Sequence, residues 1–214
     1  MANSLFVHIA ENTVIIWTDA NPTDPDLSRR NIIEIGTQCI ALHGDFVPWL
    51  PIVQKIVADA KLKSLPADQL ATTLSQRLLR VSSPPQNGIG IIVTGFANGI
   101  PVIIGLHSLY KFVTTPYPLY IIAEMPTAIW AYLASILNII PRTMDNVIDI
   151  CLMGGAIHHK VLTNTLPGSI IVIVSPGQSP FWLPDADITS RQSHNNRRLQ
   201  ALQLNLIRQS REIP

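Results

Sequence analysis

Charge is scarce in this chain. Only 14% of its 214 residues are Asp, Glu, Lys or Arg, and the formal net charge is +1. Without a basic surplus, nothing marks nucleic acid or an anionic membrane as the main partner. Cysteine is scarcer still. Cys39 and Cys151 each sit inside an apolar run and read as buried thiols in a reducing, cytoplasmic compartment, with one disulfide as the alternative. The N-terminus lacks the basic stretch and long apolar core of a signal peptide. A glycine-rich phosphate loop, a Cys-x-x-Cys pair and a nucleophile-elbow serine are also missing, so no cofactor is expected. His158 and His159 are adjacent, point to different sides and lack the i, i+4 spacing of a zinc pair. A favourable charge at a helix C-terminus accounts for them.

Apolar residues are plentiful, at 47%, and the mean hydropathy is +0.29. Two stretches approach the length of a membrane span. Residues 88–106 are uncharged, but six breakers interrupt them (Gly88, Gly90, Gly95, Gly99, Pro101 and Gly105), and Asn98-Gly99 in the middle signals a hairpin. Glu124 and Pro126 split residues 117–140 into a strand and a shorter helix. Both therefore read as soluble elements covered on two faces, and no membrane span is expected.

Taken in order, Ser4–Ala10 and Thr13–Thr18 form a first hairpin, turning at Glu11-Asn12; Asn31–Ile35 and Cys39–His43 form a second, turning at Gly36-Thr37-Gln38. Residues 19–28 are a polar, proline-bearing loop. Val53, Ile56, Val57 and Ala60 fall at helical spacing; Leu70, Leu74 and Leu78 form the stripe of a second helix. A third hairpin spans Gly90–Phe96 and Ile100–Leu106; an edge piece within 108–118 and a strand at Tyr120–Ala123 come next. Helices are predicted over Pro126–Leu137 and Thr143–Gly155, then strands at Ser169–Val174 and Pro180–Leu183. Gly154-Gly155 reads as a helix end. His8 and His43 could meet across the sheet, though a hydrogen-bonded interior histidine is the plainer expectation. Glu124 either caps the helix after it or pairs with Arg29 or Arg30.

Runs of strands alternating with helix pairs imply an α+β body, a four-layer αββα sandwich over residues 1–184. Residues 185–214 read as a polar, basic tail. Leu199, Leu202, Leu206 and Ile213 give it the pattern of an amphipathic helix, either solvated or docking on a neighbouring protein.

Several strings in this order resemble the proteasome β-subunit family of N-terminal nucleophile hydrolases, which includes the bacterial ring peptidases. Ser4-Leu5-Phe6-Val7 through Val14-Ile15-Ile16-Trp17-Thr18-Asp19 looks like the family's first hairpin, and Asn31-Ile32-Ile33-Glu34-Ile35 like its next strand. Ile40-Ala41-Leu42-His43-Gly44-Asp45 resembles the strand and glycine turn before the first helix; residues 88–96 resemble the central strand and 168–174 the penultimate one.

The resemblance implies a nucleophile freed as the first residue, its α-amine serving as base, with a lysine and an aspartate in support and a backbone N–H for the oxyanion. Ser4 falls at the nucleophile's place if the first turn is one residue shorter, Asn3 if it is not. Asp19 matches the orienting aspartate. The lysine's place falls on Asn31, with Arg30 just before it as a fixed positive charge. Ala41 stands at the oxyanion glycine, Glu124-Met125-Pro126-Thr127 replace the glycine-serine-glycine turn, and Asn164 and Pro167 take the places of a late aspartate and serine. With this altered set, the resemblance implies a non-peptidase structural or regulatory subunit of a homo-oligomer, a ring being one form it could take. The alternative is a self-processed peptidase or amidohydrolase that uses Ser4 after losing Met1-Ala2-Asn3.

Overall fold

The computed structural model describes residues 4–20, 29–123, 127–162 and 168–195. It is an α+β fold of two five-stranded antiparallel sheets and five helices. In chain order, β1 (Leu5–Ala10), β2 (Thr13–Ala20), β3 (Ile32–Ile35) and β4 (Gln38–Gly44) precede α1 (Leu50–Val57) and α2 (Ala67–Leu78). Then come β5 (Ile89–Ala97), β6 (Ile100–His107), β7 (Thr115–Tyr117) and β8 (Tyr120–Ala123), followed by α3 (Thr127–Leu137) and α4 (Met144–Leu162). The chain continues through β9 (Gly168–Val174) and β10 (Phe181–Trp182) into α5 (residues 185–195). The first sheet has the order β10-β9-β2-β1-β8, and the second β3-β4-β5-β6-β7.

Alternation along the strands sorts the apolar side chains into three clusters. Leu5, Val7, Val14 and Ile16 of the first sheet meet Cys39, Ala41, Ile92 and Ile103 of the second, with no helix between them. On its other face the second sheet packs Ile40, Leu42, Ile91 and Val93 against Val53 of α1 and Leu70, Ala71 and Leu74 of α2. The first sheet's other face sets Phe6, Ile15 and Trp17 against α3, α4 and Ile188 of α5. A strand with both faces covered must be apolar throughout, which explains the composition of 88–106. That stretch is the β5–β6 hairpin. Its Asn98-Gly99 turn has φ of +51° and +78°, a two-residue turn whose twist matches the strands. Among the described residues no helix is long and apolar enough to cross a membrane.

Three local expectations change. The second hairpin turns at Gly36-Thr37 alone, because Gln38 already pairs with Ile35. Helix α4 does not stop at Gly154-Gly155 but runs on to Leu162. The glycines serve packing instead: a Cβ on Gly155 would lie 2.4 Å from the Trp17 ring, and one on Gly154 would lie 2.6 Å from Leu133. Beyond residue 184, α5 docks on the body. Ile188 is buried, and Arg191 bridges Asp149 at 3.2 Å and Asp145 at 2.5 Å. The stripe at Leu199, Leu202, Leu206 and Ile213 lies outside the described residues, as do Glu124, Asn164 and Pro167 and the side chains of His158 and His159.

Candidate functional site

The β1–β2 pairing brings Ser4 to Asp19. Leu5 pairs with Thr18, and one step further the Asp19 N–H donates to the Ser4 carbonyl at 3.3 Å. Ser4 is buried. The Asp19 carboxyl is raised from 3.8 to about 6, because burial penalises its charge; hydrogen bonds from its own N–H and that of Ser4 oppose the shift. Asp19 falls on the Trp17 side of β2, and Thr18 on the inter-sheet side with Ile16.

Asn31 reaches this point from the second sheet. Fully buried, it donates from Nδ2 to Thr18 Oγ1 at 3.1 Å, and Thr18 Oγ1 donates to the Ser4 carbonyl at 3.0 Å. The result is a neutral relay, amide to hydroxyl to carbonyl. An amide at this position holds no charge and cannot lower a neighbouring group's proton affinity as an ammonium does. Thr18, which the sequence marks only as the short residue before Asp19, is the joint between the sheets. A signal for it exists all the same: a hydroxyl in an otherwise apolar, two-face-buried strand needs a partner.

Arg30 lies exposed on the surface, and Arg29 pairs with Asp185 at 3.7 Å. Ala41 lies within β4, paired with Ile32 and Ile92, and its side chain is buried between the sheets. Asp45 N–H bonds the Gly88 carbonyl at 3.3 Å, and alternation along that ladder turns the Ala41 N–H toward β5. So Thr18 links Asn31 to the Ser4 carbonyl between the sheets, Asp19 meets the Ser4 backbone from the opposite face of β2, and Arg30 stays on the surface.

His8 and His43 do not meet. His8 forms a triangle of rings with Phe6 (5.9 Å) and Tyr120 (5.8 Å), whereas the ring near His43 is that of His107 at 6.1 Å. Neither nitrogen of His8 makes a well-formed hydrogen bond, contrary to the expected satisfied histidine. Burial, and then the Arg142 charge, lower it from 6.5 to about 4. Both cysteines are free, in different clusters, and burial pushes both thiols upward. Among the described residues no three His, Cys, Asp or Glu side chains converge as a metal site requires. Matched against known protein families and curated proteins, the chain fits no family's pattern and no curated sequence.

Proposed function

We propose that this chain is a divergent proteasome-β-like protein with the four-layer αββα architecture of the N-terminal nucleophile hydrolases. In this reading it serves as a non-peptidase structural or regulatory subunit of a homo-oligomeric cytoplasmic assembly, for which a ring is one form. The three apolar clusters, one between the sheets and one under each set of helices, support the architecture. The observation that carries the loss of chemistry is Asn31. Where the family keeps its lysine, a buried amide donates to Thr18 and ties two sheets together. The raised Asp19 agrees, since a carboxylate facing a lysine would be held below its ordinary value. Exposed Leu109, Tyr110, Val113 and Ile139 offer apolar surface for self-association.

Incubation of the full chain with a peptide epoxyketone, followed by intact mass, tests the reading. An unmodified, unprocessed chain is expected. Adduct formation on a chain that begins at Ser4 would establish the second reading, a self-processed hydrolase. One observation favours that alternative: the Ser4 N–H already faces the Asp19 carboxyl, so a freed amine would sit beside its counter-charge. Light scattering after size exclusion tests the assembly, and a monomer at high concentration would refute it.

A further inference from the structure

The space between the sheets is filled unevenly. At the β7/β8 edge it opens into a cavity of about 420 Å³, within the range of small-molecule sites. His43, Ile92, His107, Tyr110, Tyr117 and Ile121 give it its character. Ser4, Thr18, Asp19 and Asn31 are not among its walls, so a role for this cavity is independent of any peptidase ancestry.

The walls are built rather than left over. Register places His43, Gly90 and His107 side by side across β4, β5 and β6. A Cβ on Gly90 would lie 1.9 Å from His43 Nε2, so only glycine lets that imidazole lie across the strand. Gly105 does the same for Tyr117, whose ring lies 2.7 Å from where a Cβ would stand. His107 is oriented by the Leu109 N–H, which donates to Nδ1 at 3.1 Å, and its ring lies 6.1 Å from His43 and 5.7 Å from Tyr110. Three rings therefore line one wall.

The lip is held under strain. Lys111 and Phe112 both take the left-handed conformation, with φ of +52°. Phe112 is nonetheless buried, edge-on to Trp49 at 5.5 Å, and its carbonyl accepts the Ser75 hydroxyl at 2.7 Å. These contacts fix the turn so that Tyr110 and Val113, both exposed, border the opening.

Among the described residues no Lys, Arg, Asp or Glu lines the cavity. Where the His43 and His107 imidazoles are neutral, a charged ligand would lose its water there with none of these side chains to offset the loss, which disfavours phosphates, carboxylates and amines. Aromatic walls suit a flat ring held by offset or edge contacts. The hydroxyls of Thr115 and Tyr117 can donate to an acceptor on such a ring. The geometry points to a binding site for a small, uncharged, flat aromatic molecule of one or two rings carrying a carbonyl-type acceptor.

Benzamide, benzoate and benzylamine have nearly one shape and three charges, and NMR titration of the full chain with each at pH 8 decides the matter. Benzamide is expected to shift the Gly90, Gly105 and Tyr117 amide signals and to bind at least about tenfold more tightly than either charged analogue. Val113→Trp, at an exposed lip position, should cut benzamide affinity about tenfold, and Tyr117→Phe should weaken it less. Equal binding of a charged analogue, shifts located elsewhere, or no saturable binding by benzamide would overturn the proposal. The signal map on the unaltered chain decides even if a variant fails to fold.

Discussion

The apolar cluster beneath α1 and α2 and the one beneath α3, α4 and α5 are built on different terms. The first joins Leu42, Phe46, Val53, Leu70, Leu74 and Ile91, and its polar groups are mostly satisfied: Trp49 Nε1 donates to the Asn87 carbonyl at 2.8 Å and Gln38 Nε2 to the Leu65 carbonyl, though Gln38 Oε1 makes no hydrogen bond. Its apolar area is spread over many side chains. The second holds buried polar atoms without hydrogen bonds, at His8 and Trp17 Nε1, and relies on two glycines to admit the Trp17 and Leu133 rims. One side is stabilised by area and the other by fit. A core held by area loses in proportion to what is removed; one held by fit also loses when something is added, and gains when an unsatisfied group is taken away.

Leu74→Ala should give the largest effect, about 2–5 kcal/mol lost in chemical denaturation, since the side chain is fully buried. Gly155→Ala comes next. Helix propensity alone would favour alanine by about 1 kcal/mol, so a net loss of about 1–3 kcal/mol reports the collision with Trp17. Trp17→Phe in the same chain should recover part of it; a stabilised single variant would erase the contrast between the two faces.

Smaller effects depend on pH. His8 stays neutral in the fold down to about 4, against 6.5 for the free side chain. The unfolded chain thus binds the extra proton first, and stability falls as pH drops from about 6.5 toward 4. His8→Phe should gain on the order of 1 kcal/mol at pH 7 and more at pH 5. Asp19 runs the other way. Raised from 3.8 to about 6, it holds a proton in the fold that the unfolded chain has released, so stability falls as pH rises through that window and the cost persists above it. Asp19→Asn should gain on the order of 1 kcal/mol at pH 8 and nothing below pH 4, after discounting for partial exposure. A gain for His8→Phe that does not grow as pH falls, or for Asp19→Asn that does not grow as pH rises, would show that burial does not govern these groups.

Much of the strand framework was legible because periodicity and turn residues are local. Asn98-Gly99 marked its hairpin, and the Leu70, Leu74, Leu78 stripe marked α2. What escaped was non-local. Nothing in the neighbourhood of Gly155 announces that Trp17 must approach it, so a helix that runs on looked like one that ends. Alternation told which residues share a face, but not that His8 shares its face with Tyr120 rather than with His43. At the candidate site Asn31 reaches the Ser4 carbonyl only through Thr18, a contact between residues 13 apart, while Asp19 touches the Ser4 backbone from the other face of β2.

Three polar ties run along a single margin of the molecule: Arg29 to Asp185, Asn31 to Thr18, and the Trp182 indole to the Glu34 carboxylate. Each joins the first sheet, or the segment leading out of it, to the β3 side of the second. The aromatic-walled cavity lies at the far margin, between β6, β7 and β8. At that margin the joint is covalent instead: only Pro118-Leu119 separate β7 of one sheet from β8 of the other, and the Leu119 carbonyl accepts the Ile9 N–H at 2.8 Å, so the chain itself closes the edge that the polar ties leave unbridged.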